Sequence, residues 1–215
     1  MKKSQLIYQY IREQGAVSKQ DIVIGLGLSL PTITQNLNNL AELGLIDTSK
    51  KISNTGGRNA TAYSYIEKAR YAVGLYLNRH HINCVAVDLS GNVISLIRVR
   101  ENFDLNDDNY LRKIGETVEE VKKDTGLSDD RFLGVGIAVQ GLISDDGERV
   151  TYGLTLNFTG VTRADIAKYI PYHNRLFHDS AAAGYAEVWD RNDLDDAFYL
   201  SLSNSVGGAV IVANK

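Results

Sequence analysis

The chain has only one cysteine, Cys84, among its 215 residues. A single thiol excludes an internal disulfide framework and a cysteine-rich zinc site within these residues, because both need several cysteines. Such low cysteine use fits a reducing compartment. No stretch approaches the roughly 20 apolar residues that a membrane-spanning helix needs, so we expect no membrane partner.

A secretory signal is also missing from the start of the chain. Lys2 and Lys3 resemble the basic beginning of such a signal, but Gln5, Gln9 and Arg12 interrupt the apolar residues that follow. The apolar core of a signal peptide therefore does not develop. Together with the cysteine count, this pattern predicts a soluble, cytoplasmic protein.

A large excess of either charge is absent as well. The net charge is −3, and 44% hydrophobic with 23% charged residues is an ordinary globular composition. Taken over the whole chain, this charge argues against a nucleic-acid partner. Residues 1–70, however, contain nine Lys and Arg against five Asp and Glu, whereas the remainder contains 14 against 21. A weakly basic segment therefore precedes an acidic one, which permits DNA binding by the first.

Residues 29–43, SLPTITQNLNNLAEL, predict a short amphipathic helix with a polar face that can form hydrogen bonds. We expect Ser29 to cap this helix by accepting the backbone N–H of Thr32. Pro31 suits the first turn because it has no N–H to lose. The apolar residues at helical spacing are Ile33, Leu37 and Leu40.

Two further helices are predicted ahead of this one. The first runs from about Lys3 to Gln14, and the second follows a cap at Ser18 and ends at Gly27. Three short helices with a tight turn between the last two form a helix-turn-helix. Two β-prone runs follow, joined by Asn54-Thr55-Gly56-Gly57, which suits a hairpin tip. Residues 1–68 are therefore predicted to form a winged helix-turn-helix.

Two interpretations of this segment remain open: a domain that reads DNA, or a small domain whose polar helix face is merely solvated. An uncharged polar face on the third helix and a basic wing favour DNA. Asn and Gln can bond adenine edges, Thr methyl groups can pack on thymine methyl groups, and basic wing residues can meet phosphates or enter a minor groove. The candidate DNA-contacting residues are Ser29, Pro31, Thr32, Thr34, Gln35, Asn38, Asn39, Lys50, Lys51 and Arg58.

The segment 69–195 predicts the element order βββαβαβα. Residues 132–141 have the continuous apolar character of a strand that is covered on both faces. Residues 196–215 resemble an opening hairpin, which would be marginal alone. It either docks on the preceding elements or begins a further lobe, and we expect the chain to be the front part of a longer protein. The expected helices span about 108–124, 163–169 and 181–191, and the expected strands about 71–77, 82–90, 92–100, 132–141 and 175–179.

This order resembles one lobe of the ribonuclease-H-like fold of sugar kinases, actin and Hsp70. The expected fold class is α/β: a winged helix-turn-helix, one ribonuclease-H-like lobe and a truncated second lobe. With its motifs in sequence, the chain resembles ROK-family transcriptional repressors of the xylose and N-acetylglucosamine type. The motifs are LSLPTITQNLNNLAELGLI, TGGR, GVGIAVQGLISDDG, HDSAAAGYAE and YLSLSNSVGGAVI.

Some ROK proteins are sugar kinases, so the resemblance also raises the question of catalysis. The first phosphate loop of those kinases has an Asp followed by Gly-Gly-Thr, whose backbone approaches the nucleotide. Here Tyr76 stands at the Asp, and Asn78 and Arg79 stand at the glycines. The second loop, Gly-Thr-Gly, reads Ser203-Asn204-Ser205, with Gly207-Gly208 behind it. The resemblance therefore implies loss of ATP binding, a sugar sensor and no catalytic residue.

By the same resemblance, two residues are candidates for sugar contact. Asp179 aligns with the catalytic base of the kinases, and Asn157 aligns with a sugar-contacting Asn, although Phe158 replaces the usual nearby Trp. The Asp179 carboxylate could accept hydrogen bonds from sugar hydroxyl groups. Alternatively, Asp179 only caps a helix that begins at Ser180. His178 departs from the Asn that usually precedes the aspartate.

The resemblance implies no cofactor or metal within this chain, since the family's zinc motif would lie beyond Lys215. The resulting hypothesis is a cytoplasmic, sugar-responsive repressor. Its partners would be a double-stranded DNA operator, a small sugar effector and, in the full-length protein, further copies of itself. The alternatives are an ATP-dependent sugar kinase with an appended helix-turn-helix, and a protein-interaction module.

Overall fold

The chain folds into two units that divide between Arg70 and Tyr71. The structure, a computed structural model, describes residues 2–52, 60–189, 196–202 and 206–212. Each unit has a buried hydrophobic core of its own. Within the described ranges, no helix combines the length and the apolar character that crossing a membrane requires.

The first unit contains the three predicted helices: α1 (Lys3–Gln14), α2 (Lys19–Leu26) and α3 (Leu30–Glu42). Ser18 and Asp21 form a reciprocal capping box at the start of α2, since each side chain accepts the backbone N–H of the other residue, at 3.2 and 2.8 Å. This arrangement satisfies two N–H groups that a helix terminus leaves unbonded. The helices share one apolar core, whose helical members are Ile7, Ile11, Ile22, Ile33, Leu37 and Leu40.

The prediction for the cap of α3 is wrong in one detail. Ser29 occupies the N-cap position, but its side chain makes no capping bond to the backbone. Instead, its hydroxyl lies 2.9 Å from the hydroxyl of Thr32, which offers a competing side-chain partner one turn further on. Pro31 lies in the first turn, as predicted.

Two short antiparallel strand pairs complete the first unit. β1 (Ile46–Asp47) pairs with β4 (Ser64–Tyr65), and β2 (Lys51–Ile52) pairs with β3 (Ala60–Thr61). Asn54-Thr55-Gly56-Gly57 and Arg58, at the predicted hairpin tip, lie outside the described residues.

The second unit contains nine strands within the described residues. Their bounds are β5 (Tyr71–Leu77), β6 (His81–Asp88), β7 (Val93–Arg100), β8 (Phe132–Val139), β9 (Leu142–Ile143), β10 (Val150–Tyr152), β11 (Asn174–His178), β12 (Ala197–Leu202) and β13 (Val206–Ile211). Five of them form a mixed sheet in the order β11-β8-β5-β6-β7. The first three strands of this unit, β5, β6 and β7, are antiparallel neighbours, as predicted, while β8 and β11 run parallel to β5.

Three helices accompany this sheet: α4 (Asp108–Asp124), α5 (Arg163–Ile166) and α6 (Asp179–Val188). The bounds of α4 are those predicted. α5 is shorter than predicted, because the backbone leaves helical geometry at Ala167 (φ −89°, ψ 20°) and turns so that Ile166 and Ile170 are both buried. α6 begins two residues earlier than predicted, directly after β11.

The two faces of the sheet differ in how they are covered. The apolar side of α4 shares one buried core with alternate residues of β5, namely Tyr71, Val73, Leu75 and Leu77. The predicted burial of β8 on both faces is met only in part, since Gly136 and Ala138 are half-buried. On their side, which α6 covers in part, lies an apolar cavity of about 760 Å³.

The strands β12 and β13 form the predicted hairpin, and the hairpin packs against α6. A Cβ atom on Gly184 of α6 would lie 2.8 Å from the Cβ atom of Tyr199. Because the two elements touch at this glycine, the hairpin is docked on the rest of the second unit.

We predict that Gly115→Ala destabilises the second unit. Alanine favours a helix by about 1 kcal/mol over glycine, but a Cβ atom at residue 115 of α4 would lie 2.5 Å from the backbone carbonyl oxygen of Tyr169. Overpacking of this kind costs about 1–3 kcal/mol. Urea unfolding followed by the fluorescence of Trp189, the only tryptophan, measures the change in free energy of unfolding.

The matched control is Glu120→Ala, on the exposed side of the same helix, where the gain in helix propensity is not opposed by a clash. Equal or greater stability of Gly115→Ala than of this control would contradict the prediction.

Candidate functional site

The predicted DNA-contacting residues of α3 lie along one side of that helix. Gln35, Asn38 and Asn39 are exposed, whereas Thr32 and Thr34 are half-buried beside the core. The burial of Ile33, Leu37 and Leu40 on the opposite side orients the helix, because its side chains repeat every 3.6 residues. The exposed amides can therefore donate and accept hydrogen bonds outside the unit.

Asn36 differs from these neighbours, although it belongs to the same polar run in the sequence. Its side-chain amide donates to the backbone carbonyl oxygen of Thr32 at 2.7 Å, and the residue is half-buried. This amide is therefore used inside the helix.

The structure describes two of the three predicted basic residues of the hairpin. Lys50 and Lys51 are both exposed, and Lys51 lies in β2 opposite Thr61. Arg58 lies outside the described residues. Asp47 lies near these lysines, and hydrogen bonds from the Ser49 backbone N–H and hydroxyl lower the pKa of its carboxyl below its ordinary value. The local charge is thus mixed.

A small cleft near α2 was not recognised in the sequence. Its volume is about 300 Å³, and it brings the start of α2 close to the start of α3 and to β3. Lys19 and Gln20 are its polar helical residues, and Leu30 is 52% exposed beside them. The sequence did place Lys19 at the start of α2, because Lys19 directly follows the predicted cap residue Ser18. The lining residues are Ser18, Lys19, Gln20, Leu30, Ala60, Thr61 and Tyr63.

In the second unit, a polar cavity of about 300 Å³ lies beside Asp179. Asp179 is the first residue of α6, and His178 holds the N-cap position, so the alternative that Asp179 caps a helix starting at Ser180 is wrong. One carboxylate oxygen of Asp179 accepts the backbone N–H of Ser180 at 2.7 Å and lies 3.3 Å from His178 Nε2. The lining residues are Tyr76, Gln140, Gly141, Leu142, Tyr152, Leu154, Thr155, His178, Asp179, Ser180, Ser201, Val206 and Gly207.

Tyr76 of β5 and Gln140, the residue directly after β8, extend this polar cluster. The Tyr76 hydroxyl lies in the same cavity lining as the Asp179 carboxylate, and the Gln140 amide nitrogen donates to this hydroxyl at 3.5 Å. Burial, followed by the nearby Asp179 carboxylate, raises the pKa of Tyr76 above its ordinary value. In the sequence, Tyr76 stands out only as the residue in place of the kinase aspartate, and Gln140 carries no signal because its position depends on where β8 ends.

The second sugar candidate, Asn157, is placed differently. It is exposed, has a left-handed backbone (φ 56°), and donates its N–H to the carbonyl oxygen of Leu154 at 3.2 Å. Leu154 and Thr155 line the cavity, whereas Asn157 is not among the described residues that line it. Phe158 is buried in the core, where its ring occupies the space beside Gly153.

The stretch aligned with the first phosphate loop is tied together by its own side chains. The Asn78 side-chain oxygen accepts the backbone N–H groups of His80 and His81 at 3.1 and 3.0 Å. Arg79 donates to the carbonyl oxygen of Thr155 at 2.7 Å. Ser203-Asn204-Ser205 lies outside the described residues. In the part of the chain that is described, no group of three or more His, Cys, Asp or Glu side chains could hold a metal ion.

The mixed sheet with helices packed on it defines an α/β fold that resembles one lobe of a sugar kinase. The sequence profile of the ROK family matches residues 72–215. The chain therefore belongs to the ROK family.

Similar curated proteins are transcriptional regulators. The N-acetylglucosamine repressor of Escherichia coli O157:H7 and the DNA-binding transcriptional dual regulator NagC of Escherichia coli K12 are each 23% identical over 167 residues. Each match covers 69% of this chain and 36% of the relative. The chain thus spans little more than a third of the length of these relatives.

Solved structures share the fold to different extents. A ROK family transcriptional regulator, a homologue of E. coli MLC, has a TM-score of 0.75 at 20% identity, covering 99% of this chain and 54% of that chain. A ROK family glucokinase from Streptomyces griseus, in complex with glucose and AMPPNP, has a TM-score of 0.55 at 18% identity, covering 67% of this chain and 45% of that chain.

We predict that the phenol of Tyr76 titrates above the ordinary range of tyrosine, and that Asp179→Asn lowers its pKa. Ionising the phenol beside a carboxylate places two negative charges together, so removing the carboxylate charge makes ionisation easier. An NMR titration with tyrosine labelled at the ring carbon that bears the hydroxyl measures this pKa. Tyr76→Phe assigns the signal, and an unchanged pKa in Asp179→Asn would contradict the contact.

Proposed function

We propose that this chain is a sugar-responsive transcriptional repressor, with a winged helix-turn-helix in the first unit and a non-catalytic ROK lobe in the second. One observation carries the proposal. The similarity to a ROK transcriptional regulator extends over 99% of the chain, whereas the similarity to a ROK glucokinase extends over 67%. The additional share has the size of the first unit, the unit that carries α3.

In this proposal, α3 enters the major groove. Its exposed Gln35, Asn38 and Asn39 carry amides that can make paired hydrogen bonds to adenine, and Pro31, Thr32 and Thr34 lie at the same end of the helix as Ser29. Lys50 and Lys51 on the hairpin meet phosphates, with Arg58 at the predicted tip. Two such helices in a symmetric dimer would read a near-palindromic operator.

We predict that Gln35→Ala weakens binding to the specific operator by about 1–3 kcal/mol and leaves binding to random DNA nearly unchanged, because a base contact carries sequence information and a phosphate contact does not. The operator is first selected from a randomised duplex library with the wild-type protein. Fluorescence anisotropy then measures both affinities over a range of salt concentrations.

The matched control is Gln9→Ala on α1, where the glutamine is exposed and donates to Glu13 at 3.1 Å. This variant should bind both DNAs like the wild type. Equal losses on operator and random DNA in Gln35→Ala would argue against base reading. No salt-dependent binding to any DNA would instead favour the protein-interaction module.

The cavity beside Asp179 is the proposed sugar site. At about 300 Å³ it lies at the small end of ligand pockets, which favours a monosaccharide. Its carboxylate and its hydroxyl groups, from Thr155 and Ser201, match the hydrogen bonds of a sugar, and Tyr152 adds an exposed aromatic ring. Among the described lining residues there is no Lys or Arg, so an uncharged sugar fits better than a sugar phosphate.

Sugar binding can control DNA binding only if the sugar binds one arrangement of the DNA-binding heads better than another. Linkage then requires that DNA also changes the affinity for the sugar by the same factor. The repressor therefore acts as a two-ligand protein.

An ATP-dependent sugar kinase is the second candidate, since ROK glucokinases share the fold and Asp179 aligns with their catalytic base. We predict no ADP release above background from the purified protein with MgATP and D-glucose or N-acetylglucosamine, because Tyr76, Asn78 and Arg79 replace the kinase loop. A coupled ADP assay measures it. ADP release that requires the sugar and is lost in Asp179→Asn would overturn the repressor proposal.

A further inference from the structure

Tyr76 stands at the centre of the proposed ligand site because of its register in the sheet. It pairs with Ala138 of β8 and Asn83 of β6, and Ala138 leaves room for the phenol ring to reach toward α6. Tyr76 lines the 300 Å³ cavity and also a neighbouring cavity of about 370 Å³. Asp179 lines both cavities as well, so the two side chains share one boundary.

The direction of the hydrogen bonds follows from the chemistry of the three groups. An ionised carboxylate only accepts hydrogen bonds, so in a hydrogen bond between these two side chains the phenol O–H of Tyr76 is the donor. The phenol oxygen then remains as an acceptor, and the amide nitrogen of Gln140, 3.5 Å away, is a donor. Gln140 thereby directs the single proton of Tyr76 toward the carboxylate.

The remaining contacts of Asp179 come from its two neighbours in the chain. The backbone N–H and the hydroxyl of Ser180 donate to one carboxylate oxygen at 2.7 and 3.4 Å, and His178 Nε2 lies 3.3 Å from the same oxygen. A carboxylate offers about four acceptor positions, and the side chain remains 22% exposed to the cavity. Acceptor positions are therefore left for a ligand while the carboxylate is held from the sheet and from the helix.

We propose that Tyr76 is a positioning residue for ligand binding. Its hydroxyl, oriented by Gln140, donates a hydrogen bond to the Asp179 carboxylate and holds it so that it can accept hydrogen bonds from two neighbouring hydroxyl groups of a sugar. This inference rests on the proposed sugar-sensing function. It adds Tyr76 and Gln140 to the site, and it assigns them a role through Asp179 rather than through contact with the sugar.

The test is isothermal titration of the full chain with D-glucose, N-acetylglucosamine and D-xylose. For a sugar that binds the wild type, Tyr76→Phe keeps the ring but loses the O–H, and the affinity should fall by about tenfold, the size expected for a hydrogen bond to a charged group. Gln140→Leu should give a smaller loss. Tyr185→Phe, a tyrosine on α6 that does not line the 300 Å³ cavity, is the matched control and should bind like the wild type.

A double-mutant cycle separates positioning from a general structural effect. If Tyr76 acts through Asp179, Tyr76→Phe should have little further effect in the Asp179→Asn background. A loss of the same size in both backgrounds, or no loss in Tyr76→Phe alone, would overturn the inference and leave the sugar site intact. If none of the sugars binds the wild type, the proposed function and the inference both fail.

Discussion

Strand β5 is hydrogen-bonded on both sides, to β6 and to β8, and the second unit depends on this pairing. Successive side chains of a strand point to opposite faces, so a slip by one residue would exchange the two faces. In the observed register, Tyr71, Val73, Leu75 and Leu77 are buried in the core with α4, and Tyr76 faces the other way. The core and the proposed ligand site are thus determined by the same alternation. The position of Tyr76 beside Asp179 follows from it.

In the first unit, α3 separates buried core residues from exposed polar residues in a similar way. Ile33, Leu37 and Leu40 bury one side of α3 against α1 and α2, and that packing leaves the amides of Gln35, Asn38 and Asn39 facing outward. None of the core contacts uses these amides, so they are available for recognition. The capping box of α2 and the turn at Gly27 (φ 62°) separate α2 from α3 by local interactions alone. A proposed reading surface and a stable core therefore coexist on a helix of 13 residues.

Features that depend on neighbouring residues could be predicted well. The bounds of α1 and α4 follow from apolar spacing at 3.6 residues and from glycines that end each helix, and the strands from β5 to β7 follow from apolar runs. Predictions failed where a competing partner was close in space. The Ser29 hydroxyl bonds the Thr32 hydroxyl, α5 ends early so that Ile166 and Ile170 reach the core, and α6 starts directly after β11.

By itself, the sequence determined where the helices lie and the order of the strands along the chain. It also determined the polar face of α3 and the place of Asp179 between a strand and a helix. These features depend on spacing and residue type along the chain. Only the tertiary structure decided that Tyr76, Gln140 and Asp179 meet, that Leu154 and Thr155 line the cavity while Asn157 lies on an exposed turn, and that Lys19 and Leu30 share a cleft. The physical reason is sequence distance: Tyr76 and Asp179 are about a hundred residues apart, and strand pairing, which no local pattern encodes, brings them into the lining of the same cavity.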